Sequence, residues 1–360
     1  VLKPQNQKYD VATPTEKVTV ADPANVTEAE LAKIKEKVQL EYSQNNDDAN
    51  LADKKGTPAD KTNKIQSVTK DADGNLVVTY ADGSIDKKPL SEFVNVAPTV
   101  EIPYSNKDTK EVYVYGGEEN SFDIKFKDDS GKIASATVKQ GGNREFDPVT
   151  GEADTINTQY GFKANVITTE TPATADAPAV ITYRGTPAAT DGLTQDRLTA
   201  ATKGENPAGL PLGWRYATAT DTDGALVENK AVGSSTATDP GAFRVVLKPQ
   251  NQKYDVATPT EKVEVANPDN VTNDELNKIK EKLQLEYSQT NDDANLADKK
   301  GTTVADKTNK IQSVTKDADG NLVVTYTDGS TDKKPLSEFV TKDTTAPAKP
   351  VVDTDLTGKA

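Results

Sequence analysis

The side chains in this sequence that could do chemistry are mostly carboxylates, lysines and hydroxyls, because His, Cys and Met are absent from its 360 residues. Their absence removes the usual general base, the thiolate nucleophile and nearly every zinc, copper or haem site. Asp128-Asp129-Ser130-Gly131, with Asp123 nearby, offers the clustered oxygens that a calcium ion takes. The competing reading is a type I turn with solvated Asp side chains. In KDADGNL, Gly74 comes too early for an EF-hand loop, whose glycine is the sixth position, and no bidentate Glu follows at the twelfth. A plain Asp-Gly turn explains that string. An internal Lys–Asn or Lys–Asp isopeptide bond would need an apolar site that keeps Lys neutral and a neighbouring carboxyl to shuttle the proton. Lys125 is the strand position to inspect, but alternation puts it on the outward face. A glycosidase would need two carboxyls roughly 5–10 Å apart in an aromatic-lined cleft, and aromatics make up only 6% of the chain. The expectation is a protein that is not an enzyme.

Binding chemistry is better represented. Trp214-Arg215-Tyr216 contains the only Trp, and these three residue types are enriched in binding hot spots. A lone Trp in a sandwich is also a common core residue. Arg144, Arg184 and Arg197 are further candidates on strand ends or loops. The formal charge of −14 repels a phosphate backbone, and the lysines are interleaved with Asp and Glu rather than gathered in a basic stripe. Nucleic acid is therefore not an expected partner, and neither is an anionic membrane surface. No apolar run of membrane length, signal peptide or sorting motif occurs, so membrane insertion by this segment is not expected. A chain free of thiols and thioethers suits a surface exposed to oxidants.

The elements that position these residues are organised by a repeat. VLKPQNQKYDVATPTEKV opens the chain and returns unchanged at Val246–Val263. The register is 245 residues from Val1 to Gly56; GTPADK is then matched by the longer GTTVADK, and the register continues at 246 to Phe93 and Phe339, with about eleven differing positions. Such self-similarity marks a tandem array. Val1 falls inside a repeated segment, so a piece of a longer chain is expected. Each unit starts extended and then enters a helix signed by a Thr27/Glu30 capping box and a Val26/Leu31 staple. Leu31, Ile34, Val38 and Tyr42 are expected as its apolar stripe, facing a core rather than a partner. A polar loop, Ser43–Lys64, leads to short strands separated by two Asp-Gly turns, read as a meander packed on the helix.

Between the copies, seven β-prone segments alternate with Gly, Asn and Asp turns. In Phe122–Lys127, Phe122, Ile124 and Phe126 are expected to face in and the charges out. The loops Glu170–Ala179 and Gly185–Leu212 are long for a sandwich and are where recognition would sit. The fold class expected is a multidomain, β-rich chain in which small α+β modules flank a central antiparallel, Ig-like β-sandwich. The domains expected are residues 1–95 (first α+β copy), 96–245 (sandwich), 246–341 (second copy) and 342–360 (linker or start of a further module).

VTYADGSIDKKPLSEFV, preceded by the capped helix, resembles the Rib-like family of Gram-positive surface modules, with Ala81 and Thr327 where that family often has Pro. VYVYGGEENSFDIKFKDDSGKIASATVK, together with DKKGTPADKTNKIQSVTKDADGNLVVTYADGS, is similar to the streptococcal surface repeat (SSURE) proteins, over nearly the whole chain except the last twenty residues or so. The resemblance implies a cell-wall-anchored adhesin on the bacterial surface, anchored through parts outside this segment. It also implies fibronectin as the leading host partner and plasminogen as a second. No cofactor is expected beyond the calcium considered for Asp123, Asp128 and Asp129. The alternative is a purely structural stalk that projects another domain from the wall.

Overall fold

A computed structural model of the chain describes residues 2–140, 162–187, 196, 199–200, 209–227 and 240–344. The chain forms two compact units, one comprising Val1–Val112, Ser121–Gly185 and Leu212–Val245, the other Tyr113–Asn120, Thr186–Pro211 and Val246–Ala360.

In the first copy the expected helix spans Glu28–Lys37. Thr27 Oγ1 accepts from the Glu30 amide at 3.3 Å, and Glu30 Oε2 accepts from the Thr27 amide at 2.7 Å. Glu30 Oε1 also accepts from the Ala21 amide at 2.9 Å, so one carboxylate ties the incoming chain to the helix start. The second copy reproduces the box at Thr272 and Glu275. Thr272→Ala is expected to lower the stability of the second unit by about 1 kcal/mol, measured by urea unfolding, because one orphan amide of the first turn loses its acceptor.

The apolar stripe divides differently from its sequence expectation. Leu31 and Ile34 are buried on the helix, but Val38 is its C-cap, and Tyr42 ends a strand, β3 (Gln39–Tyr42). β3 pairs antiparallel with β1 (Tyr9–Ala12), Tyr9 opposite Tyr42. Backbone pairing with a distant strand won over the local 3.6-residue period. Lys61 Nζ donates to the Val38 carbonyl at 2.9 Å, satisfying an acceptor that the helix end leaves open. The expected loop Ser43–Lys64 contains a 3₁₀ segment, Ala49–Lys54, and a two-residue strand, Pro58–Ala59, on the edge of β3.

The meander is as expected: Ile65–Lys70, Asn75–Tyr80 and Ile85–Pro89 form an antiparallel sheet. Gly74 and Gly83 take positive φ in its turns, and Asp71 accepts from the amides of Asp73 and Asn75. β2 (Val18–Thr19) runs parallel to Val94–Asn95 and closes the unit. Val68, Leu76, Val78, Tyr80 and Phe93 pack against Leu31, Ile34 and Val38 as one core, and the second copy buries its counterparts in the same way.

Each meander places a buried Tyr against an Asp. Tyr80 Oη donates to Asp86 Oδ2, and Tyr326 Oη to Asp332 Oδ2, both at 2.7 Å. Burial pushes Asp332 up to about 6, against the opposing pull of the Tyr326 hydrogen bond. Between its ordinary value near 3.8 and about 6, the folded state therefore holds more protons than the unfolded state, and this group's contribution to stability falls as pH rises through that window. The amide of Asn321 works oppositely on Asp317, whose value drops to about 2, so its contribution is present above pH 4 and is lost as pH falls toward 2. Asp332→Asn, which keeps an acceptor for Tyr326, is expected to stabilise the second unit at pH 7, the gain vanishing by pH 4. Urea midpoints at the two pH values check this.

The central segment forms two sheets. One runs in the order Glu111–Tyr115, Ala242–Lys248, Leu210–Asp221, Lys132–Gln140, Thr171–Pro172; the other runs Phe162–Ala164, Ala179–Gly185, Asn120–Lys127, Thr99–Glu101. All seven expected segments supply strands, and Phe162–Ala164 and Thr171–Pro172 are additional. The loop expected over Glu170–Ala179 is thus partly a strand, paired with Lys132 and Ile133. Ile124 and Phe126 are buried and Phe122 half-buried, while Lys125 is half-buried and lies opposite Glu101. Tyr183 stacks on Phe162 at 5.5 Å and meets Phe243 edge-on at 5.9 Å, which fixes the aromatic centre of the core.

Candidate functional site

The strand Leu210–Asp221 carries the Trp-Arg-Tyr triplet, paired antiparallel with Lys132–Gln140 so that Arg215 lies opposite Gln140 and Tyr216 opposite Lys139. Arg215 is only 1% exposed. Its Nε donates to Tyr183 Oη at 3.1 Å, and its Nη1 donates to the Trp214 carbonyl at 2.8 Å. It therefore clamps the aromatic core to its own strand. Tyr216 is buried, and half-buried Trp214 packs on it and on Ala242. Arg184 is exposed on Ala179–Gly185, opposite Lys163. Arg144 and Arg197 lie outside the described residues. The triplet thus divides into two buried residues and one that keeps a solvent edge.

The three carboxylates considered for calcium are not brought together. Asp123 accepts from Thr182 Oγ1 at 2.8 Å, whereas Asp128 turns into its own turn and accepts from the Ser130 amide at 3.0 Å and from Ser130 Oγ. Burial raises Asp128 above the usual carboxylate value, only partly offset by the Ser130 hydrogen bonds. Among the described residues no group of three or more His, Cys, Asp or Glu converges to hold a metal ion.

A cleft of about 450 Å³ opens within the first unit, between Thr19–Ala21, Ala97–Pro98 and the turn Gly224–Val227. Asn95 Nδ2 donates to buried Asp221 at 2.6 Å, and Lys17 pairs with Asp223 at 2.8 Å. Asp221 also accepts from the amides of Asp223 and Ala225, so one side chain shapes the turn and joins it to the repeat. Leu226 stands 48% exposed on the rim. Nothing local to TDTDGAL announces Asn95 as its partner.

Residues 9–97 match the family model of the atypical Rib domain. The match begins at β1 and covers the helix, the meander and the closing parallel pair. The second copy repeats the matched sequence with few substitutions and has the same elements except the strand Pro58–Ala59, whose place is taken by a single bridge between Glu286 and Thr303. A search of curated proteins finds no match. Among solved structures, the chain is similar to the sialic acid binding region of the Streptococcus sanguinis SK1 adhesin, bound to 3'sLn, at 21% identity and TM-score 0.43, over 97% of this chain and 70% of that one. It is similar to the SrpA adhesin of Streptococcus sanguinis at 19% identity and TM-score 0.39, over 68% of this chain and 94% of that one. Likeness to the GspB Siglec domain is 19% identity and TM-score 0.32, over 69% and 98%. No helix among the described residues is long and apolar enough to cross a membrane.

Proposed function

We propose that the chain is a segment of a bacterial surface adhesin, cell-wall anchored through other parts, that binds a host extracellular-matrix protein through several weak sites. Fibronectin is the first ligand proposed and plasminogen the second. The observation that supports this most is the near-verbatim reuse of an atypical Rib-type unit on either side of a sandwich. Repeated units present many weak contacts at once, so that avidity exceeds any single affinity. The proposed domains are 1–95, 96–245, 246–341 and 342–360. Exposed Arg184 and the solvent edge of Trp214 are the proposed contacts, with Arg215 and Tyr216 holding the strand that presents Trp214.

The test is surface-plasmon binding of the full chain to fibronectin coated at low and high density. Apparent affinity is expected to rise by roughly 10² on the dense surface, and Arg184→Ala is expected to weaken it by about tenfold. Silence from the folded chain on both surfaces would replace this reading with the stalk. Binding to an immobilised sialylated glycan instead would keep the adhesin and change its ligand.

A further inference from the structure

In the second unit, the strand end and turn Tyr113–Glu118 sit on the second repeat through a set of polar contacts. Glu118, its side chain 11% exposed, pairs with Lys253 and, at 3.7 Å, with Lys310. It also accepts from Tyr254 Oη at 2.9 Å. Tyr115 Oη donates to Asp293 at 3.1 Å and accepts from Asn291 Nδ2 at 3.2 Å. Lys253 Nζ lies 4.7 Å from the centre of the Tyr115 ring, and Lys248 Nζ lies 4.4 Å from that of Tyr113. Tyr113 and Tyr115 form a small apolar cluster with Val246 and Leu296.

Every repeat residue in that set except Thr327, which contacts Gly117 and is replaced by Ala81, has an identical counterpart in the first copy. There Lys8 and Asp48 face solvent and Lys64 is half-buried, while Tyr9 and Asn46 stay 5% and 6% exposed. Asp48 is exposed where Asp293 is 4% exposed; Gln5 and Ser84 are half-buried where Gln250 and Ser330 are 0%. Lys8 and Lys64 gather over the Tyr9 ring at 5.3 and 5.7 Å, as Lys253 and Lys310 do over Tyr254 at 5.2 and 5.6 Å. In the second copy Glu118 neutralises that pair. In the first, Lys64 reaches only Asp60 at 4.0 Å, and Lys8 has no ion-pair partner among the described residues. About eleven positions have drifted between the copies, yet the polar face that grips Glu118 has been kept.

We infer that Gln5, Lys8, Tyr9, Asn46, Asp48 and Lys64 form a docking seat for a second Tyr-Val-Tyr-Gly-Gly-Glu segment, carried by a further copy of the central module. The two lysines supply the charge for its glutamate, Asn46 and Asp48 supply a donor and an acceptor for its second tyrosine hydroxyl, and Leu51 stands where Leu296 packs on the tyrosine rings. The repeat is thereby an adaptor that clasps the module before it in an array. This inference does not depend on which host ligand the protein takes.

The test uses a tandem chain in which residues 1–245 are placed directly ahead of Val1. Its junction, Val245-Val1-Leu2, reproduces the natural Val245-Val246-Leu247. The added repeat carries Ala81→Thr and Ile85→Thr, the residues found in the second copy, so that the original peptide across Ala81–Ser84 keeps its own mass. In the 360-residue chain, amide hydrogen exchange is expected to be faster at Ala81–Ser84 than at Thr327–Ser330. In the tandem chain Ala81–Ser84 is expected to slow at least tenfold, to the rate of Thr327–Ser330, and to recover its speed when the added module carries Glu118→Lys. Trp214 fluorescence from both central modules confirms that each variant is folded. Unchanged exchange at Ala81–Ser84 in the folded tandem chain, or slowing that persists with Glu118→Lys, overturns the inference.

Discussion

Glu118→Ala is expected to destabilise the second unit by about 3 kcal/mol while leaving the first unit unchanged. The Glu118 carboxylate is shared by Lys253 and Lys310 and accepts from Tyr254 Oη, with all three ionic side chains at most 20% exposed. Its removal leaves two ammonium groups facing each other and a tyrosine hydroxyl without its acceptor. Breaking a buried pair from one side costs about 3–5 kcal/mol, because the remaining charge stays desolvated. The lower end applies here, since each lysine keeps some access to water. The only Trp lies at position 214 in the first unit, so Trp fluorescence should report an unchanged urea midpoint while far-UV circular dichroism shows an earlier transition. A loss below about 1 kcal/mol would mean that the cluster behaves as a surface ion pair. Glu118→Gln, which keeps an acceptor for Tyr254 and loses the charge, should fall between the native chain and Glu118→Ala.

Arg215→Ala is expected to cost the first unit about 3–4 kcal/mol, this time moving the Trp214 transition. The guanidinium lies among Tyr183, Leu212 and Trp214, and truncation leaves the Trp214 carbonyl and Tyr183 Oη short of a donor beside a new cavity. Arg215→Lys should recover only part of the loss, because an ammonium cannot reproduce the planar fork that reaches a side-chain hydroxyl and a backbone carbonyl together. Exposed Arg184→Ala should stay within about 0.5 kcal/mol of the native stability. The two arginines thus separate cleanly: a binding defect in Arg215→Ala reports a loosened strand, whereas one in Arg184→Ala reports a contact. A loss below about 1 kcal/mol for Arg215→Ala would mean that water replaces the guanidinium.

The parts that were legible in the sequence rest on local physics. A Thr-x-x-Glu box fixes a helix start because its two side chains satisfy each other's backbone amides within a few residues. Asp-Gly turns fix the meander because Gly74 and Gly83 must take positive φ. Strict alternation buries Ile124 and Phe126 because successive strand side chains point to opposite faces. Where the structure departs from the local pattern, a longer-range partner decided the outcome. Tyr42 has helical spacing from Val38, but it left the helix to pair with Tyr9. Arg215, by residue type a contact candidate, is buried because Tyr183 and the strand's own carbonyls offer acceptors inside the sandwich.

By itself, the sequence determined the duplication, the capped helix, the meander, the strand-rich centre and the exclusion of His and Cys chemistry, all of which depend on residue identity and short-range stereochemistry. Tertiary structure alone decided which face each copy shows to solvent. Identical residues such as Asp48 and Asp293 differ in exposure because burial belongs to the neighbour that covers a residue, and Tyr115 covers only one of them.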